Sequence, residues 1–450
     1  MRQLFILRGC PGAGKTSLIR ELGVERHALG YDQFRRLFSS DYYTLDGDTS
    51  LSIRGGQRIV AITHEALAAR LNQGDLLFWD ATSLDQQGLD ELIDLATRYG
   101  YSIYIIDAQR GLTWEEIVAR NAQRGPDKLA LDRLRTLFEK GAQSAVTPEN
   151  VPVLTAAQAR EQVPQLLRLG DEPTNFDQFE RVIIVGDIQS CPGALVKARE
   201  AFGGFGDPQT AWIFAGDLFD RGPDAAQVVE LLHPLPADPS NPNVFLIEGN
   251  HDTNMRRVVN RIVTTTKKHA PTWESLAQIR AGGFEDSHVQ DLLGRMRPWL
   301  YFTFRGERYI VTHGGIDFSH EPAVDLSLGA EPIHPSRHEV REYIYGTSDR
   351  ARTYIGETDY WVDTATFAHP QIIQFHGHRN LKHPQPPRPV TANGRVFDLE
   401  GRVDRGGAMR VAQILGDGEI RTFEFVDDEA VAAFARAQAG AGAQDGAGDE

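Results

Sequence analysis

From Leu4 to Lys140 the chain alternates between short unbroken apolar runs and longer stretches in which apolar residues return every third or fourth position. Leu4 to Leu7 has no polar interruption, the pattern of a strand buried on both faces of a parallel sheet, and Ser17 to Leu22 can continue as a helix. His27 to Tyr31 reads as a short strand leading into a helix that carries Phe34 and Leu37. Ile59, Ile62, Ala66 and Ala69 have helical spacing within Gly56 to Leu71, closed by Gly74. Leu76 to Trp79 and Ser102 to Ile106 read as further strands, with a helix from Asp85 to Tyr99 between them. Strand and helix in strict alternation predict an α/β fold on a parallel sheet.

The pattern breaks between Gln143 and Leu169, where Pro148, Pro152 and Pro164 accumulate before a loop-like Gly-Asp-Glu-Pro-Thr-Asn. A domain boundary is expected near residues 171–177. Beyond it, Val182–Val185, Trp212–Ala215, Val244–Ile247, Arg308–Val311 and Gln371–Phe375 are five more apolar strands. With Gly9 to Thr16 spelling Gly-x-x-x-x-Gly-Lys-Thr after the first strand, the expected organisation is a P-loop NTPase-type parallel sheet domain over 1–170 and a second α/β domain over 171–428. Residues 429–450 are Ala/Gly-rich and acidic, and are expected to be disordered.

Composition adds limits. A chain of 450 residues with 41% hydrophobic content has room for two or three cores. No segment approaches the ~20 apolar residues of a membrane span, and the N-terminus has no signal-peptide pattern. Cys10 and Cys191 are the two cysteines, too few for a disulfide framework, so a cytoplasmic location is expected. The net charge of −15 argues against broad coating of duplex nucleic acid but leaves room for gripping a strand end with local arginines.

The chemistry begins at Gly9, where Gly9 to Thr16 spells Gly-x-x-x-x-Gly-Lys-Thr between strand and helix. Gly9, Gly12 and Gly14 let backbone N–H groups curl round phosphates, Lys15 reaches the β- and γ-phosphates, and the Thr16 hydroxyl sits on Mg²⁺. ATP or another nucleoside triphosphate with Mg²⁺ is the expected ligand. Asp32 and Asp80 each follow a strand that would end at the same crevice, where a carboxylate can take a proton or hold the metal. Each also suits an N-cap or turn role. Thr113-Trp-Glu-Glu116 is a capping box, and on the helix it opens Arg120 and Arg124 share a face, either over a phosphoryl group or in solvent.

In the second half every strand runs into metal-ligating or proton-donating groups. They are Asp187 and Gln189, then Asp217, Asp220 and Arg221, then Asn250, His251 and Asp252, then His313, then His376 and His378. Asp, Asn and His at successive strand ends concentrate ligands at one sheet edge, which can hold two cations with one carboxylate bridging.

Asp32-x-x-Arg35, Asp80-x-Thr82 and Trp114-x-Glu-x-Val-x-Arg-Asn-x-x-Arg-Gly, behind the P-loop, make Met1 to Lys140 resemble bacteriophage 5′-hydroxyl polynucleotide kinases. That resemblance implies Asp32 as general base on a 5′-OH and Arg35 as a contact to the acceptor's phosphate backbone. It also implies Arg120 and Arg124 in a lid over the transferring phosphate. Val182 to Gly401 resembles the calcineurin-like metallophosphoesterases. Here Asp187 and the residue two further on would bind a first metal, Asp217 would bridge, and Asn250, His313 and His378 would bind the second. His251 would protonate the leaving oxygen and Arg221 would clamp the phosphate. His376 falls at a bystander position, and Asp398 lies near an acidic residue of the bacterial relatives.

Gln189 stands where a histidine is usual, which implies a harder, oxygen-rich first site biased toward Mn²⁺ or Mg²⁺. The order of the halves is similar to bacterial RNA-repair polynucleotide kinase-phosphatases. It implies RNA or DNA strand ends as substrates, with a separate ligase in trans because no Lys-x-Asp-Gly motif occurs. A homo-oligomer is compatible with the chain. The alternatives are a kinase for a modified base or nucleoside joined to a dinucleoside-polyphosphate or phosphoprotein phosphatase, and a nucleotide-gated scaffold.

Overall fold

The structure is a computed structural model. It describes residues 2–38, 42–43, 49–50, 56–124, 128–143, 151–167, 173–235, 243–263, 269–316, 340–346, 371–378 and 394–445. The chain divides into two units, Met1–Leu169 and Gly170–Glu450.

The first unit is built on a five-stranded parallel sheet. Its spatial order is Ala28–Leu29, Leu77–Trp79, Gln3–Arg8, Ser102–Asp107, Val153–Thr155. Gln3–Arg8 is central and buried at every position, which fits the unalternating apolar run Leu4 to Leu7 within it. Phe5 stacks on Phe78 and Tyr104 of the strands on either side, with ring centroids 4.6 and 5.0 Å apart. The chain order of the strands reverses direction across Gln3–Arg8, so a crevice opens at its carboxyl end, where Gly9 begins.

Two local expectations change here. The stretch expected as a strand up to Tyr31 is a 3-10 turn, Glu25–His27, and a strand of two residues, Ala28–Leu29. Asp32 therefore lies in the first turn of helix Tyr31–Phe38 rather than at a strand end. The helix behind the capping box, Trp114–Ala122, ends before Arg124, which sits in the following turn. The two arginines do not share a helical face, because Gln123 is already the C-cap.

In the second unit the expected single sheet edge is two facing five-stranded sheets. One runs Val244–Leu246, Thr210–Phe214, Arg181–Val185, Ala408–Leu415, Ile420–Val426. The other runs Val396–Asp398, Ile372–His376, Glu307–Thr312, Trp299–Phe304, Thr174–Asn175. Val182, Ile184, Ala211 and Ile213 pack with Phe302, Tyr309, Phe375 and Phe397 between the sheets. Ile183, Val185, Trp212 and Phe214 face the opposite way, against helices Pro192–Ala201, Ala225–Leu232 and Ala270–Ala281. Strands Arg181–Val185 and Thr210–Phe214 are thus buried on both faces, and each such large side chain contributes roughly 1.5–3 kcal/mol by burial. Thr174 and Asn175, within the expected boundary, pair with Phe302 and Thr303 and so belong to this unit, and residues 168–172 lie outside the described set.

The tail expected to be disordered is helical over Asp428–Asp445. Asp427 Oδ1 accepts the backbone N–H of Glu429 and Ala430 at 3.0 and 2.9 Å, while its Oδ2 accepts that of Gly193 at 2.8 Å. One carboxylate thereby caps two helices, and a run rich in alanine continues the second. Residues 446–450 lie outside the described set, as does most of 321–363. Among the described residues no helix is long and apolar enough to cross a membrane.

Candidate active sites

In the first unit the loop from Gly9 to Thr16 leaves the central strand and enters helix Lys15–Glu21. Gly9, Gly12 and Gly14 have φ of 140°, 89° and 93°, values that other residues rarely adopt. The loop is fixed from outside by Gln109, whose Oε1 accepts the Cys10 N–H at 2.9 Å and whose Nε2 donates to Phe138 O at 2.7 Å. Arg8, buried beneath the loop, pairs with Asp107 at 2.6 Å. Neither Gln109 nor Asp107 carries a motif, so both escape a reading of the sequence.

Lys15 Nζ donates to Gly9 O at 2.8 Å, and burial lowers its pKa. Thr16 Oγ1 donates to Asp80 Oδ2 at 2.9 Å, and burial raises the Asp80 carboxyl. Asp32 is exposed, pairs with Arg35 at 2.6 Å, and acts electrostatically on both Lys15 and Asp80. Arg120 Nη1 donates to Ala13 O at 3.4 Å. Arg124 acts on Lys15 and Cys10, and its Nη1 is buried with no hydrogen-bond partner among the described residues. Asn121 closes the loop that carries Arg124, with Nδ2 donating to Leu129 O at 2.9 Å and Oδ1 accepting the Leu129 N–H at 3.0 Å. The glycine cradle, the partly buried lysine and an unsatisfied buried guanidinium nitrogen suit the phosphates of a nucleotide.

In the second unit both sheets supply the site. Asp217, His313 and His378 each place a ligand atom within 4.8 Å of the others. His313 Nδ1 lies 2.9 Å from Ala215 O and donates to it, and Nε2 points into the cluster, 3.3 Å from Asp217 Oδ2 and 3.1 Å from Asn250 Oδ1. Asp187 is buried alongside, with Oδ1 accepting the His378 N–H at 3.2 Å. Burial, then the Glu400 and Asp217 charges, push the Asp187 carboxyl well up. Burial also works to raise Asp217, but His313 and His251 hold it below the usual carboxylate range. Packing anionic groups this closely is costly without cations, and the donor set of carboxylates, imidazoles and an amide suits divalent metals.

Gln189 Nε2 donates to Asp217 Oδ2 at 2.9 Å and approaches Asp187 Oδ2 at 3.5 Å, whereas its buried Oε1 has no partner among the described residues. A half-turn of the carboxamide would bring that oxygen to the two carboxylates as a third oxygen ligand. His376 lies apart, with Nδ1 3.0 Å from Gly377 O and 4.0 Å from Asp398 Oδ1. Asp398 sits opposite His376 in the sheet and accepts the Glu400 N–H at 3.0 Å.

His251 Nδ1 is 2.6 Å from Asp220 Oδ2, which also accepts from Thr272 Oγ1 at 2.8 Å. His251 Nε2 contacts Arg221 Nη2, and Arg221 Nη1 is 3.5 Å from the buried Asp404. Burial works to lower the His251 pKa, and the Asp217 charge and the Asp220 hydrogen bond raise it above the ordinary value. Asp252 accepts the backbone N–H groups of Asp217, Leu218 and Gly249, tying two strand-end loops together. Asp220 and Asp252 lie in segments that follow apolar strands, but their tasks depend on which loops meet.

The backbone is held in unusual shapes here. Gln189, Ser190, Asp217, Asp220, Arg221 and His378 all have φ between 50° and 78°. Such conformations cost roughly 1–3 kcal/mol each and persist only where the surroundings over-determine them. Gly249 makes one of those surroundings possible, because a Cβ there would lie 2.2 Å from Asp217 Oδ1.

Residues 4–172 match the AAA domain family, and residues 180–400 match the calcineurin-like phosphoesterase family. The 2′,3′-cyclic-nucleotide 3′-phosphodiesterase of Rattus norvegicus is 27% identical over 147 residues, covering 30% of this chain and 30% of the relative. The symmetrical bis(5′-nucleosyl)-tetraphosphatase of Legionella pneumophila (strain Corby) is 32% identical over 71 residues, 16% of this chain and 24% of the relative. The chain thus spans less than a third of the length of either relative. A metallophosphoesterase structure from Sphaerobacter thermophilus aligns at 18% identity and TM-score 0.33, covering 57% of this chain and 98% of that one. A protein serine/threonine phosphatase from Saccharomyces cerevisiae aligns at 15% identity and TM-score 0.38, covering 59% and 87%. With the two family matches laid over the two units, the chain is an AAA-type P-loop domain followed by a calcineurin-like phosphoesterase domain, an order that fits a polynucleotide kinase-phosphatase architecture.

Proposed function

We propose that this protein heals broken polynucleotide ends. Its P-loop domain transfers the γ-phosphate of ATP to a 5′-OH, and its phosphoesterase domain hydrolyses a 3′-phosphate or 2′,3′-cyclic phosphate to leave a 3′-OH. The observation that carries the reading is one chain holding both a P-loop crevice flanked by Asp32 and Arg35 and a metal-ligand cluster flanked by Arg221 and His251. The partial match to a cyclic-nucleotide phosphodiesterase is in keeping with it.

In the kinase half, Lys15, Arg120 and Arg124 bind the triphosphate, with Thr16 and Asp80 on the Mg²⁺ side. Asp32 takes the proton of the attacking 5′-OH while Arg35 holds the strand's next phosphate. In the phosphatase half, Asp187, Gln189, Asp217, Asn250, His313 and His378 hold two divalent cations, Mn²⁺ favoured. Those cations supply polarisation of the phosphoryl group and a water of lowered pKa. Arg221 clamps the phosphate, and His251 gives its Nε2 proton to the leaving oxygen while Asp220 orients the ring. Asp404 keeps the guanidinium aimed. The products, 5′-phosphate and 3′-OH ends, are what a separate ligase requires, and a reducing cytoplasm suits the two buried free thiols.

The test pairs γ-labelled ATP with a 5′-OH oligonucleotide and, separately, supplies oligonucleotides ending in 3′-phosphate or 2′,3′-cyclic phosphate. Label incorporation and 3′-OH formation are expected, and absence of both over a range of divalent metals refutes the reading. Turnover confined to bis(5′-nucleosyl) tetraphosphates or phosphopeptides would instead support the signalling alternative. Gln189→His is expected to tighten first-site binding of Zn²⁺ relative to Mn²⁺ in calorimetric titrations, and unchanged preference removes the role given to Gln189.

A further inference from the structure

We propose that Tyr31 and His64 form a platform on which the 5′-terminal base of the acceptor strand stacks, which rests on the reading that the P-loop domain phosphorylates strand ends. Tyr31 immediately precedes Asp32 at the start of helix Tyr31–Phe38, and Trp79 immediately precedes Asp80. The strands that end there pair in parallel, and the Asp80 N–H bonds Leu29 O at 2.8 Å, so both aromatic residues stand at the mouth of the nucleotide crevice.

His64 reaches the same place from helix Gly56–Gln73, and its ring and Tyr31 Oη hydrogen-bond at 3.0 Å. The Tyr31 and His64 planes are 30° apart, with centroids at 6.2 Å, so they form a shallow, nearly continuous surface. Trp79 meets both rings in T-shaped contacts, with centroids at 5.3 and 5.8 Å and interplanar angles of 80° and 72°. Trp79 is 4% exposed, whereas His64 is exposed and Tyr31 partly so, so the indole is buried and the two other rings face outward.

A hydrogen-bonded pair of flat rings resting on a buried indole is pre-organised to receive another flat ring. Nothing in the phosphate chemistry of the crevice uses it. Its place matches the acceptor rather than the donor: the Arg35 guanidinium, assigned to the acceptor backbone, acts on the Tyr31 hydroxyl, and Asp32 is its neighbour in the chain. A base here would set its own 5′-OH beside Asp32 and its 3′-phosphate toward Arg35. Stacking of this kind tolerates any base, so the platform would grip strand ends without reading sequence.

The test compares a 5′-OH oligonucleotide with the same strand carrying a 5′-terminal tetrahydrofuran abasic residue, in wild type, Tyr31→Leu, Tyr31→Phe and His64→Ala. On the normal end, Tyr31→Leu should lower kcat/KM by about tenfold, in line with the loss of one stacked base, while Tyr31→Phe stays near wild type. His64→Ala should lie between them. On the abasic end wild type should fall about tenfold and the Tyr31→Leu deficit should vanish, with KM for ATP unmoved throughout. Equal deficits on both ends, or a wild type indifferent to the missing base, overturn the platform while leaving the kinase reading intact. A rise confined to the ATP KM assigns the rings to the donor's adenine and overturns the acceptor assignment. No labelling of any strand end refutes the kinase reading and the platform with it.

Discussion

The two active regions are assembled in opposite ways. The P-loop crevice is made largely by consecutive backbone groups of Gly9 to Thr16, and the rest of the domain steadies that one turn through Gln109, Arg8 and Arg120. The phosphoesterase site has no such core stretch. Asp187 and Asp217 come from one sheet, and His313 and His378 from the other, with Asp252 and unusual backbone shapes holding the loops in register. A site built by one segment tolerates loss of distant supports better than a site whose members meet only when two sheets pack.

The largest effects should come from removing one essential group in each half. His313→Ala is expected to lower phosphatase turnover on the order of a thousandfold while 5′-labelling stays within about twofold. Lys15→Ala should give the mirror image, and loss of both activities in either variant would show that the halves do not work independently. Next is Gly249→Ala, which forces a methyl group against Asp217 and should destabilise the phosphoesterase unit by roughly 1–3 kcal/mol. Calorimetry should show its transition lowered and that of the P-loop unit unchanged.

A subtler contrast lies in pH dependence. Burial works to lower the His251 pKa, and the Asp217 charge and the Asp220 hydrogen bond work to raise it, so Asp220 favours the protonated ring. Asp220→Asn removes one of those charges, lowers that pKa and should move the basic limb of the phosphatase pH–rate profile to lower pH, with the kinase profile unmoved. A limb that does not shift, or shifts upward, excludes His251 as the acid. The smallest effect is expected at Thr113, whose Oγ accepts the Glu116 N–H at 3.2 Å while Glu116 Oε2 accepts the Thr113 N–H at 2.8 Å. Thr113→Ala should cost the P-loop unit about 1 kcal/mol in denaturant unfolding and leave the phosphoesterase transition alone.

The same contrast explains what could be read in advance. The capping box at Thr113, the strand Leu77–Trp79 and the apolar run of the central strand rest on neighbours a few positions away, and all three stand in the structure. Asp32 lies one position inside its helix, close to the N-cap alternative and separated from the strand by Gly30 and Tyr31, since a short apolar run does not fix where the following helix starts. Arg124 left its expected helical face because Asn121 turns the chain through a hydrogen bond to Leu129, a contact that spacing does not contain. The helical tail was hidden by its glycines, and the Asp427 cap and its contact with Gly193 restore it.

By itself the sequence determined the P-loop, the alternation of strand and helix, and the succession of Asp, Asn and His residues after apolar strands. Those signals depend on backbone periodicity and on which side chains can do which chemistry, and both are local properties. Only the tertiary structure decided that the ligands come from two facing sheets, that Gln189 turns its amide nitrogen to Asp217, that Asp220 serves His251, and that Tyr31, His64 and Trp79 meet. Each of those outcomes depends on segments distant in the chain burying apolar faces against one another. Their partners are chosen by packing, which no single segment encodes.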